Sequence, residues 1–359
     1  MLSTPTKISD DLNKFYGWAC PGKGKPLEWC ELSLKKFEEN DVEIEITHCG
    51  ICLSDIYTMD SGWGPTDYPC VTGHEITGII IRLGNGVDTT RFKLGDRVGV
   101  GPQCECCFNC KECKAGKENC CRNACTSTYN MRWSCGDKTY GGYSNSWRGN
   151  SHFVFKIPDS MPNEIGSVLM CAGATTYGAM KKHGVTEESK VGVVGIGGLG
   201  HIAIQWGKVF GAKVLAISSS ESKREDAISL GADNFIVSTD SKAFVKHNST
   251  LSHLILTIYV KDFDWERYLD LLEPEGTVVI LAIPDCPFGN IPPSIVERHI
   301  SLSGSLLTSP QIIQEMLNVA SEKNVKPWIK KYPMSKTPEA VQAMRDGKAR
   351  YRIVLEADK

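Results

Sequence analysis

Seven cysteines fall within eighteen residues, Cys104 to Cys121, in the stretch CECCFNCKECKAGKENCC. Four of them, Cys107, Cys110, Cys113 and Cys121, are spaced C-x2-C-x2-C-x7-C, which lets four thiolates wrap around one tetrahedral Zn²⁺. Four protein ligands leave no position for substrate, so such a site is structural. Its metal-binding free energy orders a loop too poor in apolar residues to order itself. The choice of Cys121 over its neighbour Cys120 rests on spacing alone, and Cys104, Cys106 and Cys120 are surplus. Disulfides are the competing reading, disfavoured in a chain whose N-terminus does not read as a secretory leader.

Three further stretches, CGICLSD, GHEITG and LMCAGATTYGA, are weak singly and informative together. They offer Cys52, His74 and Cys171, two thiolates and one imidazole, a ligand set suited to a catalytic zinc whose fourth position goes to water or substrate. Glu75, beside His74, is an alternative fourth ligand while substrate is absent. Asp55 is placed to accept the remaining ring N–H of His74 and so fix its tautomer. Each residue alone reads equally well as a buried thiol or a satisfied core histidine.

After the apolar run KVGVVG, Gly195, Gly197, Gly198 and Gly200 fit G-x-G-G-x-G at the start of a helical pattern. The glycines allow the tight turn, the approach of backbone amides to a pyrophosphate and close helix packing, with the helix N-terminus favouring the anion. The next strand, AKVLAIS, ends in Ser218, Ser219 and Ser220, followed by Lys223 and Arg224. An NAD-preferring site usually has a carboxylate there for the ribose 2′-hydroxyl. Hydroxyls and two cations instead favour a 2′-phosphate, hence NADP(H), although Glu221 brings a negative charge close by.

The elements that must hold these residues change character along the chain. The first third reads as short β-runs such as DVEIEITHCG, EITGIIIRLG and LGDRVGVGP, broken by turns. From about residue 166, strand and helix patterns alternate as in βαβ units of a doubly wound parallel sheet. An amphipathic helix, PQIIQEMLNVASEKN, and a last strand, YRIVLEA, close the chain. At 359 residues, two domains are expected. Hydrophobic residues at 41% and charged residues at 23% are those of a globular enzyme and not of a disordered chain. Forty Lys and Arg against forty-two Asp and Glu give a net charge of -2, which provides no broad attraction for nucleic acid or acidic lipid. No window approaches a membrane span, the N-terminus carries acidic residues where a leader needs an apolar run, and a cytoplasmic location is expected.

In this order, GICLSD, GHEITG, LGDRVGVG, the four-cysteine lobe, CAGATTY, GIGGLGH, SSSESKRED, LGAD and RYRIVLE run from about residue 49 to 355. The combination resembles the zinc-dependent medium-chain alcohol dehydrogenases, and within them the cinnamyl alcohol dehydrogenase group and its fungal NADP-dependent relatives. The resemblance implies a GroES-like β-rich catalytic domain over residues 1–165, with 310–359 returning to it, and a Rossmann domain over 166–309, with the active site in the cleft. It places the catalytic zinc on Cys52, His74 and Cys171, the displaceable glutamate on Glu75, and the structural zinc on Cys107, Cys110, Cys113 and Cys121. It also implies a proton-relay hydroxyl on Ser54 and 2′-phosphate contacts on Ser218, Ser219 and Lys223. Leu199 in the turn and Thr175 in CAGATTY are counted beside the cofactor, with Ser220 and Arg224.

The implied reaction is hydride transfer between NADP(H) and an aldehyde or primary alcohol, cinnamyl-type or medium-chain aliphatic, by a homodimer paired through the Rossmann sheet. Where many relatives end the proton relay in histidine, this chain has Tyr57. Leu306 stands where plant members commonly have Phe, Thr126 near a position often held by Trp, and Trp63 is a candidate lining residue. Cys125 and Cys135 have no assigned role. A zinc-dependent polyol or secondary alcohol dehydrogenase is the alternative enzyme, though such enzymes usually prefer NAD and often lack an intact four-cysteine lobe. A zinc module for nucleic acid would need basic and aromatic flanks, whereas the lobe mixes Lys111, Lys114 and Lys117 with Glu112 and Glu118.

Overall fold

The computed structural model describes residues 13–358, and the part of the N-terminal stretch through residue 12, read above as lacking a leader, lies outside the described residues. Two compact units share the chain: one holds the residues up to Cys171 with Ser309–Glu322 and Pro327 onward, the other Ala172–Thr308 with Lys323–Lys326. The first junction falls after the helix Asn163–Val168, because that helix packs on the strands Asp41–Ile51 and Glu75–Leu83 of the first unit. Among the described residues no helix is long and apolar enough to cross a membrane.

The first unit is built around the strand Asp41–Ile51, whose residues Val42, Ile44, Ile46, Cys49 and Ile51 are buried. It pairs antiparallel with Glu75–Leu83 on one side and, along its length, with Ser146–Asn150 and then Arg352–Glu356 on the other. The remaining strands Val154–Lys156, Arg97–Val100 and Ile329–Pro333 complete a seven-stranded sheet. Three register relations matter for chemistry. Gly50 lies opposite Glu75, Ile353 lies opposite Ile51, and the central strand stops at Ile51. The segment Gly50–Cys52 is therefore flanked by Glu75 on one side and Arg352 on the other.

The chain then turns into the short helix Leu53–Met59, with Cys52 as its N-cap in extended conformation. Asp55, three residues on, accepts the Cys52 backbone N–H at 2.8 Å, the side-chain half of a capping box. A helix start favours a thiolate, so this turn both places and polarises Cys52.

The second unit carries a six-stranded parallel sheet in the order Asn234–Val237, Lys213–Ser218, Lys190–Val194, Leu251–Leu256, Leu272–Ile280, Ser301–Gly304. The order of strands in the chain, 3-2-1-4-5-6, reverses beside Lys190–Val194, where doubly wound sheets bind ligands at the carboxyl ends of their strands. The helix Gly200–Val209 leaves directly from that strand's turn. A Cβ on Gly200 would lie 1.9 Å from the Gly195 carbonyl oxygen, so only glycine lets helix and strand approach this closely.

The helix that carries Ser54 and Asp55 is held at its other end by an ion pair. Arg345 grips Asp60 with both terminal nitrogens, at 2.5 and 2.8 Å, and holds its carboxyl below the usual carboxylate range. A depressed pKa adds stability above the unfolded value and loses it as pH falls through the folded one. Arg345→Met is expected to cost about 0.5–1 kcal/mol near neutral pH, as for a partly exposed pair. Urea unfolding of both chains across pH should show the difference closing below pH ~4.

Candidate functional site

One atom each from Cys52, His74, Glu75 and Cys171 lies within 4.8 Å of the others, all inside the first unit. Cys52 comes from the helix N-cap, His74 and Glu75 from the start of the strand Glu75–Leu83, and Cys171 from the π-helical turn Leu169–Gly173. The Asp55 carboxylate ties these origins together. Besides the Cys52 N–H, it accepts the Gly73 N–H at 3.1 Å and the Tyr143 hydroxyl at 2.8 Å, and it stands 3.3 Å from His74 Nδ1. Tyr129 Oη is nearer to that nitrogen, at 2.9 Å. The other ring nitrogen, Nε2, is buried without a hydrogen-bond partner.

Glu75 is fully buried and receives a hydrogen bond on Oε1 from Arg352, while its Oε2 has no partner. Its carboxylate lies over Gly50, where a Cβ would stand 2.0 Å from Oε2 and 2.9 Å from the Glu75 Cβ. Orphaned buried polar atoms are costly, and an imidazole nitrogen, a carboxylate oxygen and two sulfurs converging on one point need a cation. Two soft sulfurs with one imidazole and one oxygen fit Zn²⁺ and not a hard cation such as Mg²⁺.

Packed this closely, the groups share protons. The Cys171 thiol donates to the Cys52 sulfur, which holds Cys52 well below the ordinary thiol range and Cys171 well above it, with His74 and Arg352 assisting Cys52 against its burial. Burial works against a charged His74, but the Asp55 carboxylate and Cys52 raise it well above its usual value. Burial pushes Glu75 up to about 7, opposed by Arg352. Tyr129 and Tyr143 are held far up by burial and by the Asp55 charge, so both remain neutral phenols.

In the lobe, Cys107, Cys110, Cys113 and Cys121 bring their sulfurs within 4.8 Å of one another. Backbone amides aim at them: Cys110 N–H donates to Cys107 at 3.3 Å, Cys107 N–H to Cys121 at 3.5 Å and Ala124 N–H to Cys121 at 3.3 Å. Backbone amides of Asn109 and Cys110 lower Cys107, and those of Cys113 and Arg122 lower Cys110; desolvation opposes the amides that lower Cys121 and raises Cys113. Amides directed at sulfur prefer thiolates, which is what a zinc ligand must be. Cys120 ends the short turn Glu118–Cys120 exposed to solvent, Cys106 is buried against the lobe, and all sixteen cysteines are free thiols.

The second unit forms the expected strand, turn and helix around Gly195, Gly197, Gly198, Leu199 and Gly200. A Cβ on Gly197 would meet nothing within 4 Å, an open cradle of the kind a pyrophosphate fills. Thr257 donates one hydroxyl to both the Val194 and Gly195 carbonyls at 2.8 Å, bracing the turn from the neighbouring strand. Ser218 is buried at the end of its strand, and Ser219 is exposed. Ser220 bonds Ser222 at 2.8 Å, and Lys223 reaches back to donate to the Ile196 carbonyl at 2.7 Å. Arg224 is committed elsewhere: it forks onto Glu221, donates to the Phe235 carbonyl and lies over the Phe235 ring. Thr175 is buried in the helix Ala174–Lys182.

Ser54 Oγ lies 3.5 Å from the Cys52 sulfur. Tyr57 stacks on Trp63 with ring centroids 4.9 Å apart and planes within 6°. Leu306 is exposed, whereas Thr126 is buried in the small sheet of the lobe. Arg352, Tyr129, Tyr143, Gly50 and Thr257 were not anticipated from the sequence. For Arg352 a signal existed, since an arginine opening an otherwise apolar terminal strand needs a buried anion.

Residues 38–159 match the alcohol dehydrogenase GroES-like domain family, and residues 198–322 match the zinc-binding dehydrogenase family. A probable cinnamyl alcohol dehydrogenase of Arabidopsis thaliana is 38% identical over 348 residues, covering 96% of this chain and 95% of that protein. Among solved structures, a cinnamyl alcohol dehydrogenase of Sorghum bicolor superposes with a TM-score of 0.91 at 33% identity, covering 96% of this chain and 97% of that one. One of Helicobacter pylori, complexed with NADP(H), superposes with a TM-score of 0.84 at 32% identity, covering 96% and 98%.

The contact between Glu75 and Gly50 leaves no room for a methyl group. Gly50→Ala is expected to lower unfolding free energy by about 1–3 kcal/mol, as overpacking of a filled core does. Denaturant unfolding reads the change, and an unaltered midpoint would mean that Glu75 leaves this position freely.

Proposed function

Because the chain belongs to the zinc-dependent medium-chain alcohol dehydrogenases, in the cinnamyl alcohol dehydrogenase group, we propose that it interconverts an aldehyde and its primary alcohol with NADP(H), on cinnamyl-type or medium-chain aliphatic substrates. The supporting observation is the convergence of Cys52, His74 and Cys171, with His74 Nε2 buried and unsatisfied, on one point in the first unit. Zinc bound there supplies a Lewis acid that polarises a carbonyl, and NADP(H) supplies or takes the hydride.

The chain's own residues do the rest. Cys52, His74 and Cys171 would hold the metal, with Glu75, kept beside them by Arg352, as the further ligand available while substrate is absent. Asp55 keeps the Cys52 amide, the Gly73 amide and the His74 ring in one arrangement, so the ligands need no reorganisation when substrate arrives. Ser54 holds a proton at Oγ for exchange with the substrate oxygen, and Tyr57 stands where the onward path would otherwise use an imidazole. Cys107, Cys110, Cys113 and Cys121 hold a second, structural zinc.

In the second unit, the Gly195–Gly200 turn binds the pyrophosphate. Ser218, Ser219, Ser220 and Lys223 receive the 2′-phosphate, and Arg224 joins them on leaving its pair with Glu221. The intact four-cysteine lobe and the absence of a carboxylate at Ser218 favour this reading over a polyol dehydrogenase. The chain is read as a cytoplasmic homodimer acting on small molecules, with no nucleic-acid or membrane partner.

Purified chain should hold two zinc ions and oxidise NADPH in the presence of cinnamaldehyde, with kcat/KM at least about tenfold above that for NADH, a difference of ~1.4 kcal/mol in transition-state binding. A chelator that strips only the more labile metal should abolish turnover, and added zinc should restore it. Full activity with one metal, retained in the lobe, would refute the mechanism.

A further inference from the structure

The His74 ring has two nitrogens with different duties. A nitrogen that ligates a metal offers a lone pair, so the ring proton must sit on the other one. Nε2 is the nitrogen that faces the cluster without a partner, and the proton therefore belongs on Nδ1. Two oxygens compete for it: Asp55 Oδ1 at 3.3 Å and Tyr129 Oη at 2.9 Å. The second distance is the usual N–H···O length, and the first is long. Asp55 already accepts from the Cys52 amide, the Gly73 amide and the Tyr143 hydroxyl. Tyr129 is buried, and its ring is tilted beside the imidazole with centroids 5.5 Å apart.

We propose that Tyr129 is the positioning residue of the open metal site: His74 Nδ1–H donates to the Tyr129 oxygen. The tyrosine thereby takes the ring proton that the more distant carboxylate would otherwise hold. The phenol sets the direction of the Nε2 lone pair. Tyr143 donates to Asp55 but has no bond to His74, so it makes an internal control.

This inference rests on the reading of His74 as a metal ligand, and the experiment separates the two. Wild-type, Tyr129→Phe and Tyr143→Phe chains, full length and metal-loaded, are assayed for zinc content and for zinc retention against a chelator. The open site is then filled with Co²⁺, zinc remaining in the lobe. Tyr129→Phe should hold the open-site metal about 10–100-fold less tightly, as loss of such a partner does, keep the lobe zinc, and shift the cobalt absorption bands. Tyr143→Phe should leave those bands at wild-type positions. If Tyr129→Phe does not fold, uniform 3-fluorotyrosine in the wild-type and Tyr143→Phe chains replaces it, and the bands should shift in both. Wild-type retention and bands in Tyr129→Phe, or unmoved bands with fluorotyrosine, overturn the proposal while leaving the two-zinc reading intact. A wild-type chain that binds metal only in the lobe overturns both.

Discussion

A buried carboxylate held largely by neutral donors organises the first unit's chemistry. Asp55 is fully buried, and it is paid for by donors: two backbone amides, one on each of the segments that carry Cys52 and His74, and the Tyr143 hydroxyl. Each of those donors belongs to a different stretch of chain. Satisfying one charge therefore fixes the helix that starts at Cys52, the turn before His74 and the loop that bears Tyr129 and Tyr143 in a single relation. If Asp55 were absent, two amides and the Tyr143 hydroxyl would lose their partner, and the ligands would lose their common reference.

The two cysteine-rich sites are built on opposite principles. The lobe keeps its four sulfurs close in sequence and stabilises them with backbone amides, so its geometry needs little from the rest of the fold. The open site collects its groups from distant segments and stabilises them with side chains. The Glu75–Arg352 pair joins residues 277 positions apart. A buried pair of this kind costs desolvation that its Coulombic attraction offsets only in part, and it contributes specificity of arrangement more than stability. It holds a carboxylate near the sulfurs without letting it lose its charge to them entirely.

This contrast explains what could be read from the sequence. Ligand chemistry forces the lobe's cysteines into a short contiguous pattern, and the pyrophosphate turn likewise forces its glycines into six residues, so both are local signals. Cys52, His74 and Cys171 are recognisable only because their flanking motifs occur together. The choice between Cys120 and Cys121 is decided by a short helical turn that leaves the first of them at the surface. Tyr129 and Tyr143 are illegible in isolation, and Arg352 signals a buried anion without saying which, because the partner each one meets depends on strand register and loop path. The placement of Glu75 over Gly50 is a register fact of the same kind.

The bond from Lys223 to the Ile196 carbonyl has a consequence for cofactor choice. In the proposed reading, the ammonium that would meet the adenosine-side phosphate also props the loop that would receive the bridging phosphates. Discrimination between the two nicotinamide cofactors and grip on either of them would then be coupled through one side chain. A lineage drifting from one cofactor to the other would have to pass through forms that bind both poorly, unless a second change re-anchored the loop first.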